Sequence, residues 1–188
     1  MKTNGIKKLM ALATMLVAGL ILSCEGAANE PAPVDLIASW EQPIHVLDFN
    51  DPECQDLGTI SLRAIPKVTA SNPAFLDVQL EAYRVSYRRR DGGTLVPASF
   101  TRTVSLLIPG GGAAVSLGSF LAFEPGALNQ APFAALFPIN GGIDPETGKR
   151  SIDMDLIIDF YGETLSGEEV SARAQTAITF CAGCGGCV

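Results

Sequence analysis

Residues 76–90 read LDVQLEAYRVSYRRR, and this stretch decides the fold class. Apolar and polar residues alternate from Leu76 to Ala82, which is the pattern of a strand with one face in a hydrophobic core. From Tyr83 the alternation continues in the opposite phase, so a β-bulge near this point is needed to keep one face turned inward. The following DGG at 91–93 is typical of a turn between antiparallel strands.

The same alternation recurs along the chain, between turns rich in glycine, proline, asparagine and aspartate. In the alanine-rich segment 125–137, Pro132 excludes a long helix, and we expect one or two short turns there. Short alternating strands without a long helix predict an all-β protein, an antiparallel immunoglobulin-like β-sandwich. Besides residues 76–90, strands are expected at 60–66, 100–108, 115–123, 152–161 and 170–180.

The N-terminal segment is of a different kind. Three lysines precede an apolar run at 9–22, which is shorter than the roughly 20 residues that a membrane-spanning helix needs. The run instead matches the apolar region of a secretory signal. It ends in ILSC at 21–24, which resembles the lipobox of bacterial lipoproteins.

The resemblance implies cleavage of a signal peptide, residues 1–23, and acylation of Cys24. In that family the cysteine carries a thioether-linked diacylglycerol and, in many species, an N-acyl chain such as palmitate. One acyl chain binds a bilayer only marginally, whereas two or three hold a protein there. The resemblance thus implies a lipid-anchored protein of the cell envelope. Since Glu25 rather than aspartate follows the cysteine, the outer membrane is favoured over the inner membrane in a Gram-negative host.

Removal of the signal leaves 165 residues, which suits one domain. We expect the lipidated cysteine and a flexible tether at 24–40, followed by a single domain at 41–188 with a cysteine-rich tail. This body resembles uncharacterised β-sandwich lipoproteins. Three of the 13 basic side chains leave with the signal, so the formal net charge changes from −7 to −10. Such a charge argues against nucleic acid as a partner.

Four cysteines follow the lipidated one, at Cys54, Cys181, Cys184 and Cys187. An even number in an oxidising compartment favours two disulfides, of which one would join Cys54 to the tail and the other close the remaining pair. The C-x-x-C-x-x-C spacing with a fourth cysteine also suits zinc or an iron–sulfur cluster, and a redox-active pair is a third possibility.

The triple arginine, Arg88, Arg89 and Arg90, is the basic cluster of the domain. It is either the solvated tip of an edge strand, which discourages aggregation, or a contact for an acidic partner or phosphate. His45 lies in no motif with a nucleophile, so we expect no catalytic role for it.

Two groups of carboxylates invite a metal hypothesis. Asp48, Asp51 and Glu53 lack the spacing of a calcium loop, so we expect a solvated turn. Alternate carboxylates at 153–159 share one strand face, where successive groups are about 7 Å apart. Two at most would reach one ion, and we expect a solvated face there as well.

The sequence therefore predicts a non-enzymatic envelope lipoprotein, a binding or structural module for an envelope protein or a glycan. The alternative is a metal- or redox-handling lipoprotein that uses Cys54 and the tail cysteines. Without a catalytic constellation we expect no enzyme, and we expect no cofactor unless the cysteines hold zinc or iron–sulfur.

Overall fold

The computed structural model describes residues 32–51, 58–67, 73–118 and 120–185. Predictions on Cys24, Cys54 and Cys187 therefore fall outside the described residues. Within these ranges the chain forms eight β-strands and several short 3-10 helices but no α-helix, which confirms the all-β class. No helix among them is long and apolar enough to cross a membrane.

The strands form two sheets, a smaller one with the order β1-β3-β6 and a larger one with the order β2-β8-β7-β4-β5. β1 of the smaller sheet lies against β8 of the larger sheet. The strands are β1 (Val34–Trp40), β2 (Val46–Asp48), β3 (Ile60–Pro66), β4 (Val78–Arg89), β5 (Phe100–Ile108), β6 (Val115–Leu117), β7 (Ser151–Thr164) and β8 (Glu169–Cys181).

The expected bulge is present in β4. Its pairing with both β5 and β7 shifts register between Leu80 and Ala82. The extra residue returns the second half of the strand to the inward phase, so that Val78, Leu80 and Val85 are all fully buried. β4 lies between β7 and β5 as far as Val85, so the prediction of an edge strand is wrong for most of its length, whereas residues 86–89 pair with β7 alone.

Two further expectations need correction. The larger sheet is mixed rather than purely antiparallel, because the short strand β2 pairs in parallel with the end of β8. Val34–Trp40 is not tether, since it pairs antiparallel with β3 as β1 and buries Val34 and Leu36. These apolar side chains alternate with exposed ones and therefore fit a half-buried strand.

An aromatic cluster fills one part of the hydrophobic core. The ring centroid of Phe133 lies 4.7 Å from that of Phe180 and 4.9 Å from that of Phe49. Phe133 belongs to a set of short 3-10 helices between residues 125 and 140, as expected for the alanine-rich segment. Its side chain and that of Leu136 are buried, so this irregular segment is fixed by packing.

The strand directions give the domain two distinct ends. At the first, the proximal end, β4 and β8 begin and β5 and β7 finish. At the second, the distal end, β4 and β8 finish and β5 and β7 begin. The proximal end comprises residues 73–77, 109–112 and 164–168, and the distal end comprises residues 90–99, 141–150 and 181–185.

Candidate functional site

At the distal end, the C-terminal tail folds over one carboxylate. Asp48, the last residue of β2, is only 3% exposed. Its Oδ1 accepts hydrogen bonds from the backbone N–H groups of Asn50 at 3.0 Å and Gly183 at 2.7 Å. Its Oδ2 accepts hydrogen bonds from the N–H groups of Cys184 at 2.7 Å and Gly185 at 3.0 Å.

These four donors explain how a charged group is buried at this position. A carboxylate removed from water is costly unless hydrogen bonds replace its hydration, and N–H bonds to a charged oxygen are strong ones. Gly183 and Gly185 have φ angles of 83° and 103°, which other residues rarely adopt, and so let the tail curl around the oxygens. The expectation of a solvated turn is wrong at Asp48, which holds the tail in place.

Within this tail, Cys181 and Cys184 form a disulfide, in agreement with the predicted pairing of tail cysteines. Cys181 ends β8 and is buried, whereas Cys184 is exposed. The second predicted bridge involves Cys54 and Cys187, which lie outside the described residues, and it stays a prediction.

The carboxylate of Asp48 and the sulfur atoms of the two cysteines also form a candidate metal site. Ligand atoms of Asp48, Cys181 and Cys184 lie within 4.8 Å of one another, the one such group found in the described part of the chain. A metal and the disulfide exclude each other, because the metal binds thiolates. Backbone N–H donors already occupy both oxygens of Asp48, so a metal would have to displace them. The donor set therefore suits the disulfide better than an ion.

The triple arginine is divided between two environments. Arg88 donates to Oδ2 of Asp155 from Nε at 3.0 Å and from Nη2 at 2.6 Å, and Arg90 Nε lies 3.6 Å from Oδ1. The hydrogen bond from Arg88 lowers the pKa of Asp155, although partial burial opposes it. The side chains of Arg88 and Arg90 remain 65% and 52% exposed, so both stay accessible to a partner.

The side chain of Arg89, unlike those of Arg88 and Arg90, is buried and only 2% exposed. Its Nε and Nη2 donate to the two carboxylate oxygens of Asp91 at 2.7 and 2.9 Å, and Nη2 also donates to Asp144 at 2.7 Å. Both carboxylates are fully buried. The hypothesis of a partner contact is therefore wrong for Arg89, whose charge is already compensated inside the domain.

Backbone groups complete this buried network. Asp91 accepts hydrogen bonds from the N–H groups of Gly93 and Asp153, both at 3.1 Å. Burial raises the pKa of Asp91, but the hydrogen bond from Arg89 and those from the backbone outweigh it and lower the pKa to about 2. Asp144 Oδ1 is buried and has no hydrogen-bond partner among the described residues.

Glu146 joins the two distal loops across the network. Its Oε2 accepts hydrogen bonds from the N–H groups of Thr94 and Leu95, both at 2.8 Å, and lies 3.6 Å from Arg89 Nη1. The loop after β4 and the loop before β7 are thus held to each other. Sequence reasoning missed Asp144 and Glu146, because in a stretch reading DPETG they resemble ordinary turn residues.

An open depression of about 390 Å³ lies beside this network. His45 Nδ1 is 3.3 Å from the carbonyl oxygen of Ala177 and donates a hydrogen bond to it. Thr179 donates its hydroxyl hydrogen to Asp153 at 2.7 Å. The depression thus offers polar groups, one guanidinium and one carboxylate but no activated nucleophile among its lining residues, which are His45, Arg90, Asp153, Ala177, Ile178 and Thr179.

The carboxylates of β7 do not converge on an ion. Asp153 is paired with Thr179, Asp155 with Arg88, and Asp159 with Arg173 at 2.6 Å. Each partner lies on a neighbouring strand, and Asp155 is only 8% exposed. The expectation of a solvated face is therefore wrong at Asp155, and cross-strand pairing replaces it.

Comparison of the chain with protein-family models, with curated proteins and with solved structures finds no match. Fold class alone does not determine function, which depends on the residues of the sites.

Proposed function

We propose that the chain is a lipid-anchored protein of the bacterial cell envelope whose β-sandwich is a non-enzymatic binding or structural module. The observation that carries this proposal is the pair of distal loops joined through Arg89, Asp144 and Glu146. Loops whose positions are fixed by a scaffold are the usual carriers of binding. Beside them lie exposed cations and a polar depression without a nucleophile, which suits recognition better than catalysis.

The anchor is proposed from the lipobox-like sequence at 21–24. The outer membrane is the proposed location in a Gram-negative host. We also propose an immunoglobulin-like arrangement in the broad sense, supported by two sheets of mostly antiparallel strands, although the parallel pairing of β2 departs from that pattern.

The proposed ligand is an envelope protein or a glycan that carries acidic groups. Arg88 and Arg90 present two half-exposed guanidinium groups at the distal end, and Arg90 lines the polar depression. Guanidinium groups bind carboxylate and phosphate oxygens through paired hydrogen bonds.

Metabolic labelling with a palmitate analogue tests the anchor. The full chain is expected to incorporate the label and to lose residues 1–23, and Cys24→Ser is expected to abolish both. Cys187→Ser is the matched control and should keep the label. An unlabelled protein that retains its N-terminal segment would contradict the anchor.

Binding to purified envelope glycans and to envelope proteins tests the module. The double substitution Arg88→Ala and Arg90→Ala should weaken binding, whereas Arg63→Ala, an exposed arginine of the smaller sheet, should not. Equal binding by the parent protein, the double variant and Arg63→Ala would show that the distal arginines do not belong to the binding site.

A second candidate function, redox or metal handling, is favoured by the exposed position of Cys184 in a loop held by Asp48. Thiol counting across a series of glutathione buffers, together with metal analysis, separates it from the first. A redox pair should open in moderately reducing buffer, whereas a structural disulfide should stay closed. A closed disulfide and metal-free protein would remove this candidate.

A further inference from the structure

Two large apolar side chains project from the proximal end. Phe75 is 56% exposed and Leu165 is 53% exposed. Their turns are joined, since Leu165 N–H donates to the carbonyl of Asp77 at 2.9 Å and the Ser166 hydroxyl donates to the carbonyl of Phe75 at 3.1 Å. The two side chains are therefore presented by one bonded pair of turns.

The start of the domain lies at the same end. Lys67 N–H donates to the carbonyl of Pro33 at 2.8 Å, which places the beginning of β1 beside the end of β3. Near the end of β3, the carbonyl of Ala64 accepts a hydrogen bond from Gly112 at 3.0 Å. The turn containing Gly112 also includes Gly110, whose N–H donates to Oδ1 of Asp77 at 2.8 Å.

Exposed apolar side chains alone do not show which end of the domain faces a membrane, because the distal end also carries some, such as that of Leu95. The length of chain before β1 decides between the ends. Ten residue steps separate Cys24 from Val34, and a fully extended chain of that length spans at most about 36 Å. The thirteen residues of β8 span about 40 Å.

With Cys24 held in a bilayer, the distal end could be turned down to the membrane only if the connecting segment were stretched to its full length, which would remove its conformational freedom and is therefore disfavoured. We infer that the proximal end rests on the bilayer that holds Cys24, with Phe75 and Leu165 at the lipid interface. This inference rests on the acylation proposed above. It leaves the distal arginines and the depression turned away from the membrane.

The charges of this end argue against an anionic lipid surface, because the acidic residues Glu163 and Glu169 are exposed beside the turn of Leu165. The ammonium group of Lys67 lies 2.9 Å from the carboxylate of Asp35, so its charge is already compensated and does not attract anionic lipid. The carboxylate of Glu168 accepts hydrogen bonds from the hydroxyl groups of Thr164 and Ser166 in the same turn. Aromatic and leucine side chains are the groups that enter the interface from surface-bound segments.

Fluorescence quenching by lipids with brominated chains tests the inference on the acylated full chain in phosphatidylcholine vesicles. Phe75→Trp and Leu165→Trp each add a tryptophan at the proximal end, and Leu95→Trp adds one at the distal end as a matched control. Trp40 supplies a constant background, which the parent protein measures. We expect the added fluorescence to be lost for the two proximal variants and retained for the distal one.

The outcomes separate the two proposals. A parent protein that carries no acyl group and does not sediment with vesicles would overturn the proposed anchor. A protein that sediments normally, but whose proximal tryptophans are unquenched or quenched no more than the distal one, would overturn the inference alone. A concentration-dependent blue shift of Phe75→Trp in the unacylated Cys24→Ser form would indicate a second copy as the occupant and would also overturn it.

Discussion

Arg89 and Asp144 are 55 positions apart in the chain, yet the guanidinium Nη2 lies 2.7 Å from the carboxylate Oδ2 in the interior of the distal end. The exposed fractions of the two side chains are 2% and 0%. Asp91 shares the same guanidinium, so one cation faces two buried carboxylates. This cluster joins the loop after β4 to the loop before β7.

Replacement of Arg89 by methionine should strongly destabilise the domain. The substitution leaves Asp91 and Asp144 buried without their counter-charge, and breaking a buried ion pair in this way typically costs about 3–5 kcal/mol. Urea unfolding at neutral pH measures the change. Arg88→Met removes an arginine whose side chain is 65% exposed and leaves Arg90 beside Asp155, so it should cost clearly less than Arg89→Met. Equal small losses for both variants would mean that the buried network contributes little to stability.

The same network predicts that the domain loses stability in acid. The pKa of Asp91 is lowered to about 2 from an ordinary value of 3.8. The unfolded chain therefore takes up a proton at higher pH than the folded one, and the contribution of Asp91 to stability is complete above pH 4 and lost as the pH falls towards 2.

Chemical unfolding at a series of pH values from 5 to about 2 measures this loss. Asp144, whose pKa is also lowered by the hydrogen bond from Arg89 despite burial, should add to the slope. Asp91→Asn should give a protein that is less stable at neutral pH and whose stability changes less between pH 4 and 2. A parent protein with a flat profile over that range would contradict the assignment.

The strand pattern was predictable wherever one face is buried. The alternation in β4 predicted both the strand and its bulge, and the fully buried Met154, Leu156, Ile158 and Phe160 follow the pattern of β7. Periodicity does not reveal which strands become neighbours, because pairing depends on contacts distant in sequence. It therefore predicted β4 as an edge strand and did not indicate the parallel β2.

The site was less predictable for a related reason. Asp48, Asp144 and Glu146 lie in turn-like stretches, where a carboxylate is normally solvated. Each is held instead by N–H groups or a guanidinium supplied from a distant part of the chain. Local composition indicates turns correctly, but it carries no information on which turns fold against each other.

Gly162 provides a test of the bulge. It faces the irregular step of β4, and a Cβ atom added there would lie 2.5 Å from the carbonyl oxygen of Gln79 and 3.1 Å from the Cα of Leu80. Both contacts are with backbone, so Gly162→Ala should shift the pairing of β4 with β7 and cost about 1–3 kcal/mol of unfolding free energy.

Urea unfolding of Gly162→Ala measures this cost. Gly126→Ala is the matched control, because a Cβ at that position meets nothing within 4 Å. The control should change the unfolding free energy by no more than about 1 kcal/mol, since an unstrained alanine mainly restricts the unfolded chain. A Gly162→Ala protein as stable as the control would argue against a close approach of the two strands at the bulge.

Asp48→Ala tests whether the tail depends on a single carboxylate. The substitution removes the acceptor of three tail N–H groups, those of Gly183, Cys184 and Gly185. Hydrogen bonds to a charged partner contribute about 1.5–3 kcal/mol each, so the three amides should lose most of their protection against hydrogen exchange.

Hydrogen exchange read at single residues measures this effect, and the interior of β7 and β8 supplies an internal reference that should change little. Glu81→Gln, at an exposed position of the bulge, is the control and should leave the tail amides protected. Faster exchange confined to the tail would establish Asp48 as the group that holds Cys184 in position. Unchanged protection of the tail amides would mean that the disulfide and the end of β8 are sufficient to hold the tail.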